Sequence, residues 1–295
     1  MTIYDQIGKN RWKTAFYIGL FLLFIIGLGW LFAYIYNSPA ILIIAVVIAI
    51  AQAFVSYWWG DSIALSLSHA QEVKRSDNKE LHRVVENLAI TAGLPKPKIY
   101  LIPDGAPNAF ATGRDPKHAS VAVTAGLLQM LDKEELEGVI AHELSHIGNR
   151  DSLLMVVVVV LVGVVAIASN LFYRVGFFGG FGDDDSGGNN GVVLLVGLIL
   201  AILAPLAATL IQLAISRKRE FMADANGALL TRYPEGLADA LKKISKYQRP
   251  MRFANDATAL LYITNPTQKR SFLAGLFDTH PPVEERIKAL IGMSE

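Results

Sequence analysis

Three stretches of this chain contain no Asp, Glu, Lys or Arg: residues 14–60, 152–173 and 186–216. A helix of about 20 apolar residues crosses a hydrocarbon core, and each stretch can hold at least one such helix. With 53% hydrophobic residues and a mean hydropathy of +0.38, the chain has the composition of a membrane protein. Residues 16–36 form a run longer than a signal-peptide core, with no small-x-small cleavage site before the next apolar run, so they read as an anchor. Asn37-Ser38-Pro39 makes a tight turn, and residues 41–58 return to end in Tyr57-Trp58-Trp59, aromatics suited to the membrane interface. Residues 152–172 and 192–216, the latter kinked at Pro205, read as a second hairpin. Between them lies a Gly- and Asn-rich loop carrying Asp183-Asp184-Asp185. The valine run near 156–160 alone would also suit a buried strand, and a helical hairpin in a soluble core is the competing reading; length and absence of charge favour membrane helices.

Lys9, Arg11 and Lys13 precede the first span, and the positive-inside rule keeps them in the cytoplasm. The chain therefore divides into a transmembrane hairpin over 1–60, a cytoplasmic part over 61–151, a second hairpin over 152–216 and a cytoplasmic helical part over 217–295.

Inside the first cytoplasmic part stands His142-Glu143-Leu144-Ser145-His146, an H-E-x-x-H pattern. Asp132 with Glu135 resembles a capping box, so a helix begins at about Lys133; Leu136, Val139, Ile140 and Ile147 recur at helical spacing. His142 and His146 then share one face a turn apart, able to bind one tetrahedral ion. Glu143, beside the first ligand, can reach a water in the open metal position and act as general base. Without cysteine, any metal must be held by His and carboxylate.

Two spans joined by a loop return the chain to the same membrane face. Arg217-Lys218-Arg219-Glu220 should therefore lie beside the motif, with Glu220 as third ligand. The competing reading of Glu220 is a solvated charge in a basic run. Asp224, one turn on, can accept a hydrogen bond from a ligating histidine.

Around the motif, residues 98–102, 108–112 and 120–124 read as strands of a small sheet packed on the motif helix, and an extended substrate could add to its edge. A helix over 80–91 carries His82, read as solvent-facing; His69 and His118 are also read as solvated. A last helix covers 283–291, while 251–276 shows no clear period. Net charge of +1 and the lack of a basic stripe set nucleic acid aside.

The chain resembles the HtpX family of membrane-bound zinc metallopeptidases, relatives of the CAAX prenyl protease. The resemblance rests on the two N-terminal spans, Asn108-Ala109-Phe110-Ala111-Thr112-Gly113, Ala141 to His146, Glu220-Phe221-Met222-Ala223-Asp224, and Thr279-His280-Pro281-Pro282 with Glu285-Arg286-Ile287. It implies a mainly α integral membrane protein with four transmembrane helices in two hairpins and an α+β zincin-like, gluzincin catalytic domain. One Zn2+ per chain is implied, held by His142, His146 and Glu220, with Glu143 as general base. Asn108, Ala109, Phe110 and Ala111 would border the substrate cleft. His280 would either approach the oxyanion or serve as a structural histidine opening the last helix; Arg286 reads as an ion-pair partner in the fold.

The implied role is degradation of damaged or misfolded membrane proteins at the cytoplasmic face of a bacterial inner membrane, as part of stress-linked quality control alongside other membrane proteases. Two alternatives stay open. One is narrow processing of a defined peptide; the other is zinc sensing or transport without hydrolysis, which the scarcity of polar groups in the spans beyond Gln52 and Gln212 disfavours.

Overall fold

A computed structural model of the chain describes residues 3–35, 37–160, 217–253, 258–266 and 281–293. Helices α1 (Ile3–Ile35) and α2 (Pro39–Leu67) form the first hairpin, and the turn between them puts Asn37 at a φ of 47°. Pro39 occupies the first turn of α2, where its missing N–H leaves no bond unmade. The apolar spans Trp12–Tyr34 and Pro39–Leu67 bury little of themselves against the rest of the chain, with Leu23, Ile43 and Val47 each more than half exposed. Long helices this apolar and this uncovered need lipid around them. The two approach closely at Gly29, where a Cβ would run into Ala45, the small-residue contact expected of membrane helices.

After the hairpin comes a four-stranded sheet: β1 (Gln71–Glu72), β2 (Lys98–Ile102), β3 (Ala109–Gly113) and β4 (Ala119–Thr124), in the order β1-β2-β4-β3. β2 runs parallel to β4, while β3 is antiparallel to β4 with Ala111 opposite Val121. The three strands read from sequence are present within a residue at each end. β1 is an addition, too short to carry an alternation signal.

Helix α3 (Lys79–Thr91), capped by the Asn78 side chain accepting from the Leu81 amide, packs beneath this sheet. A short helix α4 (Ala125–Met130) leads into α5 (Lys133–Gly148), which carries the H-E-x-x-H motif. Its start is a full capping box: Asp132 accepts from the Glu135 amide, and Glu135 accepts from the Asp132 amide. α6 is described over Asp151–Val160, apolar and buried, and a Cβ at Gly60 of α2 would strike its Val156. The rest of the second predicted hairpin, 161–216, lies outside the described residues.

Past it, α7 (Arg217–Thr231), α8 (Pro234–Lys246) and α9 (Val283–Ile291) complete the chain. α5 is the hub: α7 and α8 pack on one side of it, β3 and β4 on the other. Two glycines permit this closeness. A Cβ at Gly138 would stand 2.7 Å from the Leu237 amide, and one at Gly227 would stand 3.1 Å from the His142 amide.

The environment of His82 differs from the solvent-facing one expected. The residue is only 8% exposed, and its Nε2 lies 2.9 Å from the Val73 carbonyl. The ring flanks the apolar stripe of α3 and covers the segment after β1, a burial that its polar sequence neighbours conceal. His69 and His118 are exposed, as read.

Candidate metal centre

Helical spacing on α5 places His142 and His146 one above the other, their ring centroids 4.8 Å apart. Both are buried, as are Glu143 and Glu220. The two Nε2 atoms are 3.2 Å apart; Glu220 Oε2 lies 3.8 Å from His142 Nε2, and Oε1 lies 3.5 Å from His146 Nε2. Among the described residues these three form the cluster of potential ligands, their donor atoms all within 4.8 Å of one another.

The opposite edges of the rings are committed elsewhere. His142 Nδ1 is 2.9 Å from Asp224 Oδ1, and His146 Nδ1 is 3.2 Å from Asp151 Oδ2. A carboxylate accepts, so each Nδ1 carries a ring proton, and once the ring is neutral its Nε2 presents a lone pair to the cluster. Two such lone pairs and a carboxylate oxygen converging in a buried space suit a cation between them. A tetrahedral ion with ligands at about 2.0–2.2 Å holds its donors about 3.3–3.6 Å apart, and the separations of 3.2, 3.5 and 3.8 Å lie around that spacing. The residues present fit a divalent ion.

α7 delivers Glu220 and Asp224 together because they are one turn apart on its buried face, with Ala223 and Gly227 supplying the small surface against α5. Arg286 of α9, fully buried, donates from Nη2 and Nε to Asp224 at 2.6 and 2.8 Å and from Nη1 to the Ile263 carbonyl at 3.1 Å. It is an ion-pair partner, as the sequence suggested, but one that reaches the site: its Nη2 is also 3.4 Å from His142 Nδ1.

The electrostatics follow from this packing. Burial disfavours the Asp224 carboxylate, yet the Arg286 guanidinium and His142 overcome it and hold the group at about 2. For His142 burial is the largest effect and lowers its pKa, with Asp224 opposing. Burial also opposes charge on His146, but its bond to Asp151 and the negative charges of Glu220, Asp151 and Glu143 prevail, raising it to about 9. Glu143 is pushed up to about 7, first by burial and then by the Glu220 charge, against the pull of His146, the Ala111 amide and Arg286.

Of the strand residues, Ala111 reaches the site directly, its amide donating to the Glu143 carboxylate. The Asn108 side chain is engaged within the fold: Nδ2 donates to the Thr264 carbonyl at 3.0 Å, and Oδ1 accepts from the Ala109 amide at 3.1 Å. Phe110 is fully buried, edge-on to Tyr262 at 5.1 Å, and the Ala109 carbonyl accepts from the Ile263 amide at 2.9 Å. His280 lies outside the described residues.

Sequence reasoning missed Asp151 as the partner of His146. The available signal was a carboxylate just past the helix stop at Gly148, where Arg150 in the left-handed region, at a φ of 59°, turns the chain back toward the ring.

Known proteins resemble this chain over nearly its whole length. A family model described as Peptidase family M48 matches residues 75–294. A "Protease HtpX homolog" of Caldanaerobacter subterraneus subsp. tengcongensis is 46% identical over 98% of this chain and 97% of its own length. Another, of Pyrococcus furiosus, is 49% identical over 96% of each chain. The crystal structure of S. mikatae Ste24p superposes with a TM-score of 0.51 at 19% identity, covering 98% of this chain and 66% of that longer one.

Proposed function

Since this chain belongs to peptidase family M48 and is a membrane metallopeptidase, we propose that it is a zinc endopeptidase cutting misfolded or damaged membrane proteins at the cytoplasmic face of a bacterial inner membrane. The observation that carries the reading is the convergence of His142, His146 and Glu220, with Glu143 beside them, at the foot of a membrane hairpin.

In this reading His142, His146 and Glu220 hold one zinc ion. The ion, when bound, supplies Lewis acidity that polarises a peptide carbonyl and makes a water acidic enough to be deprotonated near neutral pH. Glu143 takes that proton on its carboxylate and passes it to the departing amine nitrogen. A carboxylate with its affinity for protons raised toward neutrality suits both halves of this transfer, and the Ala111 amide keeps one oxygen fixed. Asp224 and Asp151 hold the histidine Nδ1 protons, while Arg286 keeps Asp224 ionised.

Substrate is held by its backbone. Alternation along β3 turns Ala109, Ala111 and Gly113 away from β4, the direction in which Ala109 bonds to Ile263, so the Ala111 carbonyl and the Gly113 amide can pair with an extended peptide. Backbone pairing reads no side chain, which suits a protease that disposes of unfolded chains. The cytoplasmic orientation is supported by Lys9 and Arg11 ahead of the first span, by Lys13 at its very start and by Arg217, Lys218 and Arg219 beside the site.

The substrate class is tested with purified protein in vesicles offered three substrates: a destabilised membrane protein, casein and a defined prenylated tail peptide. Cleavage of the first two is expected. Cleavage of the tail peptide alone would overturn the quality-control reading in favour of narrow processing, and zinc binding without cleavage of any would favour a sensor.

A further inference from the structure

Asn10 sits on α1 just ahead of Trp12, where the apolar span begins, and is only 5% exposed. Its side-chain amide makes two bonds far along the chain. Nδ2 donates to the Asn149 carbonyl at 2.9 Å and to Asp151 Oδ1 at 2.7 Å, so both amide hydrogens are used. Asp151, fully buried, turns its other oxygen to His146 Nδ1 at 3.2 Å. Arg219 Nη1 approaches the same Oδ1 at a longer 3.4 Å.

A carboxylate can rotate about its last torsion, and rotation would withdraw Oδ2 from the ring. The short Asn10 bond on Oδ1, together with the Asn149 carbonyl that pins the amide itself, fixes the plane of the carboxylate. We infer that Asn10 is a positioning residue of the metal centre: it locks Asp151, and Asp151 sets the tautomer and aim of His146. The first membrane helix is then a working part of the zinc site as well as an anchor. This rests on reading His142, His146 and Glu220 as the zinc ligands.

Thr14 provides an internal control. It is buried one turn along the same face of α1, and its hydroxyl donates to the Asn10 carbonyl at 2.9 Å. Loss of that hydroxyl tests the packing of α1 and leaves the amide contacts in place.

The experiment uses the full chain in detergent and measures the zinc dissociation constant by competition with a chromogenic chelator for wild type, Asn10→Leu, Asn10→Asp, Thr14→Val and Glu220→Gln. The zinc-induced rise in unfolding temperature is read for each against its own metal-free baseline, which separates site effects from general destabilisation. Asn10→Leu should weaken zinc binding about tenfold, the low end for losing a partner behind a ligand. Asn10→Asp, which sets a carboxylate against Asp151, should weaken it at least as much, and Thr14→Val should bind as wild type does. Zinc bound by wild type, lost in Glu220→Gln and held equally well by both Asn10 variants overturns this inference alone. Equal weakening by Asn10→Leu and Thr14→Val overturns it too, since the effect would then be helix packing. A wild type that binds no zinc removes the site reading and the inference together.

Discussion

Each histidine ring at this site is held from behind by a carboxylate, and each carboxylate is bonded in turn by groups brought from distant parts of the chain. Arg286 is the counter-ion whose loss should be felt most. Arg286→Leu leaves Asp224 ionised and buried without its partner, and thermal unfolding of the metal-free protein should show a loss of about 3–5 kcal/mol. Retention of wild-type stability would mean that Asp224 has another counter-ion. The state of His146 gives a second prediction. Raised to about 9, it is protonated in the metal-free site at neutral pH, and an ion must displace that proton. Zinc affinity should therefore rise about tenfold per pH unit from acid toward about pH 9 and then level off. A flat titration between those limits would show His146 already neutral. At this scale the sequence is informative where chemistry is written into spacing: His142, Glu143 and His146 in one motif, Glu220 and Asp224 in another. It is silent on Asn10, which lies far from Asp151 in the chain and shares no pattern with it.

Among the elements, α5 dominates because every wall of the site leans on it. Its start at Lys133 is legible, since a capping box is local chemistry between residues three apart. Strand β2 and helix α9 are legible for similar local reasons, whereas β1 and the burial of His82 depend on what packs above them. Glycines inside helices give a weaker signal whose meaning only packing reveals. Gly227 and Gly138 let α7 and α8 approach α5 closely, and they make separable predictions. Gly227→Ala pushes α7 away at His142 and carries Glu220 with it, so both stability and zinc affinity should fall, the former by about 1–3 kcal/mol. Gly138→Ala acts at Leu237 of α8, away from Glu220, and should cost similar stability with zinc affinity intact. Paired unfolding and zinc titrations check this; zinc loss in Gly138→Ala equal to that in Gly227→Ala would refute the division.

The whole molecule joins a metallopeptidase site to a membrane hairpin, and composition together with one five-residue motif makes that union legible in the sequence. Charge-free runs locate α1 and α2, and the positive-inside rule supplies an orientation that is directly testable because the chain has no cysteine. A single Ser38→Cys should react with an impermeant maleimide added outside intact cells, and Ser76→Cys only after permeabilisation. The reverse pattern would invert the topology. How the hairpin contributes to the site is not legible, because contacts such as Asn10 to Asp151 are fixed by tertiary packing. The decisive measurement is zinc content and casein hydrolysis together, on detergent-purified wild type, Glu143→Gln and Glu220→Gln. Wild type should bind one zinc and hydrolyse casein with sensitivity to chelator. Glu143→Gln should keep its zinc while losing about 10²–10⁴-fold in rate, and Glu220→Gln should lose both. Full activity in Glu143→Gln, or undiminished zinc in Glu220→Gln, would contradict the assignment of base and ligand.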